Sequence, residues 1–136
     1  MSAGILWIIL PILIAVLLVV LNSNSRVSMV VGAVINSAIV LSILILKIDH
    51  NYIIGSALIR IEPAMTILGR NVIIENADRA VLFFLYGLSA VYLWLGVFSD
   101  AIPTFAPSSL GTAAFLTAAL AVESRLFFIL FVELAV

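Results

Sequence analysis

Residues 4–21 read GILWIILPILIAVLLVVL, eighteen positions without one charged side chain. A membrane-spanning helix needs roughly 20 apolar residues, and this run lies inside a longer charge-free stretch from Ser2 to Ser25. Trp7 stands near one end, where an indole suits the headgroup level. A cleaved secretory signal is the competing reading, but such a signal has a positive n-region, and only Met1, Ser2, Ala3 and Gly4 precede Ile5. The run is therefore read as a retained first span. Pro11 removes one backbone N–H from that helix, a loss a bilayer tolerates where a neighbouring helix satisfies the freed carbonyl.

The rest of the chain has the same character. Of its 136 residues 65% are apolar and 10% charged, with a mean hydropathy of +1.39, whereas about 25% of residues in a soluble domain carry charge. Six Lys and Arg against seven Asp and Glu leave a net charge of -1. No basic surface exists to neutralise phosphates, which sets nucleic acid aside as a partner. Cysteine is absent and His50 is the single histidine, so disulfides, thiolate nucleophiles, iron-sulfur clusters and cysteine-based zinc sites are excluded. The sequence also shows no Ser/His/Asp set, zinc motif or phosphate loop. No catalytic, cofactor-binding or metal-ligating residue is assigned.

The charges cut the chain into neutral segments. Asn22 to Arg26 is a polar turn, and Val27 to Leu46 is a second run of 20 uncharged residues, closed by Lys47, Asp49 and His50. Asn36, Ser37 and Ser42 lie inside it and predict a face packed on another helix rather than on lipid. Ala80 to Ser99, entered by Asp78-Arg79 and left at Asp100, is a third run of 20. Pro103 and Pro107 bracket a short turn. Ser108 to Val122 then predicts a fourth helix, whose Gly111, Ala113, Ala114, Ala118 and Ala119 permit close helix contact. Leu126 to Val136 is strongly apolar, but at about 1.5 Å per residue it covers only around half of a bilayer core.

Residues 49–79 differ, with Pro63, Gly69 and alternating apolar positions. Ile59-Arg60-Ile61-Glu62 alternates with period two, and Gly69-Arg70 between Thr66-Ile67-Leu68 and Val72-Ile73-Ile74 suits a tight turn. The expectation is an all-α polytopic membrane protein forming one transmembrane domain over residues 1–136. It has four transmembrane helices (about 4–21, 27–46, 80–99 and 108–122) plus an incomplete fifth (126–136), and a small β-hairpin in the loop between helices 2 and 3. The short last span implies a partner chain that completes it.

Glu133 is the exception to the charge pattern. It sits between Phe131-Val132 and Leu134-Ala135, where an ionised carboxylate facing lipid costs about 2.5 kcal/mol or more. A helix from Ser124 reaches only about 14 Å by that position, near mid-membrane. Two readings stand on the residues alone: a proton-relay group within a bundle, or an interfacial residue where the helix ends.

Leu126-Phe127-Phe128-Ile129-Leu130-Phe131-Val132-Glu133-Leu134 resembles a helix of the antiporter-like, proton-translocating membrane subunits of respiratory complex I and of Mrp-type sodium/proton antiporters. In that family an aromatic-rich run leads into a Glu-Leu pair. The Asp78-Arg79 entry to a Leu/Phe-rich helix, the Ala/Gly-rich helix after it and the Glu123-Ser124-Arg125 turn follow the same order, and the likeness runs over essentially the whole chain. The resemblance implies that Glu133 is the intramembrane glutamate that pairs with a lysine on a later helix to gate proton movement. Val132 stands where the family usually has tryptophan, and Lys47 is not a substitute for the lysine by position. Also implied are other membrane subunits as partners, a bacterial or archaeal cytoplasmic membrane, and a place in an NADH dehydrogenase-type translocase or an Mrp complex. The alternative is a non-conducting assembly subunit packed against a larger membrane complex.

Asp49, Asp78, Asp100, Glu123 and Arg125 fall at span ends and read as interfacial anchors. His50 reads as a solvated loop residue, and Phe127, Phe128 and Phe131 as packing residues. The N-terminus, Lys47 with the 49–79 loop, and the Glu123–Arg125 turn fall on one side with five of the six basic residues. The positive-inside rule makes that side cytoplasmic, whereas the resemblance implies the opposite, so orientation stays open.

Overall fold

The computed structural model describes residues 2–20, 25–54, 57–67, 70–99, 104–122 and 125–136. A π-helical turn, Ile5–Ile9, runs directly into α1, Leu10–Val20, followed by α2, Ser25–Ile45, and, after a strand-bearing loop, α3, Arg79–Phe98, α4, Phe105–Ala121, and α5, Arg125–Ala135. Two segments, Arg26–Ile45 and Arg79–Phe98, are long and apolar enough to cross a bilayer by length and composition. Ile5–Val20 and Phe105–Ala121 are shorter apolar helices.

Proline chemistry shapes the first helix. Pro11 cannot donate to the carbonyl four residues back, that of Trp7, and the turn before it widens so that the Leu10 N–H reaches Ile5 O. The freed Trp7 carbonyl accepts instead from the Tyr86 hydroxyl of α3. The widened turn also carries Trp7 inward: it is fully buried and donates Nε1–H to Ser42 Oγ of α2 at 3.1 Å. A buried indole is satisfied once its N–H finds an acceptor, and here Ser42 supplies it. Pro107, expected in a turn, lies in the first turn of α4. The N–H it lacks is one that no intrahelical carbonyl would have taken.

α4 is the central helix, touching α1, α2, α3 and α5. Ala106, Ala113, Ala114 and Ala118 are all buried, and their small side chains let four neighbours approach one axis. Gly32 of α2 approaches α4 closely, its ideal Cβ position lying 3.1 Å from Ala106 Cβ. Where α2 meets α3, a Cβ on Gly96 would collide with Met29 Cε, so only glycine fits that crossing undisturbed.

The loop holds two antiparallel hairpins, where the sequence predicted one. β1, Asn51–Ile54, pairs with β2, Ala57–Arg60, and β3, Ala64–Ile67, pairs with β4, Arg70–Ile73. The second is the expected hairpin, but Ile67 pairs with Arg70. Arg70 thus belongs to the strand, and the residues joining β3 to β4 are 68 and 69, outside the described set. The first, joined by Gly55-Ser56, also outside that set, was missed. Ile48, Ile61, Val72 and Ile74 are buried and seat the loop on the bundle. It is also tied there through the backbone: Ala3 N–H donates to Glu62 O at 2.9 Å, and Val72 forms a bridge with Val122 at the end of α4.

Asn76 of the loop and Arg79, the first residue of α3, close the end of α2. Arg79 donates to the carbonyls of Ile43 and Leu44, placing a cation where the helix dipole is negative. Asn76 both accepts from Ile48 N–H and donates to Ile48 O, each at 3.1 Å. Asp49 adopts a left-handed backbone (φ 60) that Asp tolerates better than most residues, and its exposed carboxylate pairs with Arg60. That hydrogen-bonded ion pair raises the Arg60 guanidinium above its ordinary range.

Candidate functional site

Polar and apolar residues are arranged oppositely inside and outside the bundle. Its interior holds amides and hydroxyls in apolar surroundings. Asn36, fully buried, donates Nδ2–H to Tyr86 O at 3.2 Å. Thr117, also fully buried, donates to Ala113 O at 2.9 Å and stands by the Tyr86 hydroxyl. Nearer the surface, half-buried Ser37 accepts from Trp94 Nε1 at 3.1 Å between α2 and α3. The expectation that Asn36, Ser37 and Ser42 mark a packed face agrees with these contacts. The outside is apolar: Leu13 (60% exposed), Val34 (52%) and Val91 (56%) stand on the outer faces of α1, α2 and α3. None of the described Asp, Glu, Lys, Arg or His side chains is buried.

Helix α5 lies antiparallel along α4. The Phe131 ring stacks on Phe115 with centroids 6.4 Å apart, and Thr112 Oγ1 donates to Ala135 O at 2.9 Å. Phe131 and Ala135, four residues apart, therefore define the packed face of α5. Glu133, two residues from each, is rotated about 200° from Phe131 and points away from α4. It is exposed, together with Ile129, Leu130 and Leu134. The register puts Glu133 about 12 Å from the Ala121 end of α4, counting 1.5 Å per residue. The structure thus sets Glu133 on the outer surface, halfway along the neighbouring helix, and brings no described cation to it.

The other charged positions lie elsewhere. Lys47, at the end of α2, is exposed, and its backbone N–H donates to the Tyr52 hydroxyl. Asp78 Oδ2 accepts from Glu75 N–H at 2.9 Å, closing the turn that opens α3. His50 is exposed and lies edge-on to Tyr52, with ring centroids 5.3 Å apart. Asp100, Pro103, Glu123, Ser124 and most of the Asn22–Arg26 turn lie outside the described residues, as do the side chains of Arg125 and Phe127. Phe128 is exposed. Among the described residues no three of His, Asp and Glu converge as metal ligands would.

An apolar cleft of about 370 Å³ opens between α3 and α4, lined by Leu88, Tyr92, Phe105 and Leu116. Its buried hydroxyl, Ser89, is 2.7 Å from that of Ser109. The two hydroxyls hydrogen-bond to each other at the cleft wall. Sequence reasoning missed Tyr86 as the group that replaces the donor lost at Pro11. The proline signals that a donor is required, but nothing local identifies a tyrosine 79 positions from Trp7. Compared with known protein families, curated proteins and solved structures, the chain matches none.

Proposed function

We propose that the chain is an integral, multi-pass subunit of a proton- or sodium-translocating complex in a bacterial or archaeal cytoplasmic membrane. It is similar to the opening part of the antiporter-like subunits of complex I or Mrp antiporters. The membrane reading rests on the apolar outer faces of α1, α2 and α3, because soluble monomers rarely expose contiguous apolar surface of this extent. One observation carries the functional reading: Glu133 points away from α4 on an otherwise apolar face. A carboxylate so placed needs a cation or a proton from outside the bundle, which makes a neighbouring membrane subunit its natural partner. Redox chemistry falls to other subunits of such a complex.

A second reading, a non-conducting assembly subunit, draws on the absence of buried acid–base side chains among the described Asp, Glu, Lys, Arg and His residues. Inverted membrane vesicles carrying the assembled complex separate the two. Energised proton uptake and sodium exchange are compared for the native chain, Glu133→Gln and Glu133→Asp. Loss with Gln and partial retention with Asp support the translocation reading. Unchanged flux with Gln, at equal assembly, leaves the assembly reading.

A further inference from the structure

No further inference is drawn: the strongest candidate, the apolar groove of about 380 Å³ between α1 and α4 beside the last turn of α5, is an open face, and nothing in the structure shows what covers it.

Discussion

Replacing Tyr86 by Phe removes one oxygen atom from the middle of the bundle, and its cost follows from the group left behind. The Tyr86 hydroxyl donates to Trp7 O, a carbonyl that has lost its helical donor to Pro11. Both residues are fully buried, so water does not replace the bond at once, and a buried acceptor left alone costs about 1–3 kcal/mol. That range is the predicted destabilisation of Tyr86→Phe. Pro11→Ala restores a backbone N–H four residues after Trp7 and gives the same carbonyl an intrahelical donor. In that background Tyr86→Phe should cost about 1 kcal/mol less, a coupling of the size found for residues sharing a partner. Unfolding of the detergent-solubilised chain, followed by circular dichroism for the four members of the cycle, measures both quantities. Equal costs in the two backgrounds, or no cost in either, would refute the assignment of the tyrosine to the proline's missing donor.

Three further substitutions test the packing. Gly96→Ala places a methyl against Met29 and Phe105 and should destabilise by about 1–3 kcal/mol. In a Met29→Ala background the same change should cost less, read in the same unfolding assay. Gly111→Ala is the opposite case, since a Cβ there meets no atom within 4 Å; it should stabilise by about 0.5–1 kcal/mol through helix propensity. Arg79→Ala removes the charged donor from the Ile43 and Leu44 carbonyls and should cost about 1.5–3 kcal/mol. Hydrogen exchange localises that loss: faster exchange confined to the last turn of α2 and the 46–49 segment is expected, and unchanged protection there would contradict the capping role.

Much of this architecture is legible in the sequence because it depends on one-dimensional features. Uncharged runs bounded by Arg26, Lys47 and Asp78-Arg79 mark the bodies of α1, α2 and α3, since charge ends an apolar run whatever lies beside it. Asn36 and Ser42 foretold helix contacts because a polar group in such a run needs a partner, though they did not say which. The illegible parts depend on pairs distant in the chain. Trp7 turns inward because Ser42 offers an acceptor and the turn before Pro11 is widened, and neither fact is visible from the residues flanking Trp7. Arg79 reads as a span boundary, yet its side chain serves α2. The missed hairpin, Asn51–Ile54 with Ala57–Arg60, is β-branched residues around Gly55-Ser56. Its pattern was present but overshadowed by the stronger alternation from Ile59 to Glu62. For Glu133 the sequence showed that the carboxylate is anomalous, while its direction follows from the Phe115–Phe131 stack that orients α5.

If α1, α2 and α3 cross a membrane, as proposed, their apolar outer faces lie in lipid. Single cysteines at Leu13, Val34 and Val91, exposed positions of α1, α2 and α3, carry nitroxide labels in bilayer-reconstituted protein, and relaxation by oxygen is compared with relaxation by a water-soluble nickel chelate. Dominant relaxation by oxygen at all three positions, and by the chelate at a control label on Glu75 in the loop, is the predicted result. Dominant relaxation by the chelate at Leu13, Val34 and Val91 would place those faces in water and contradict the membrane-embedded reading.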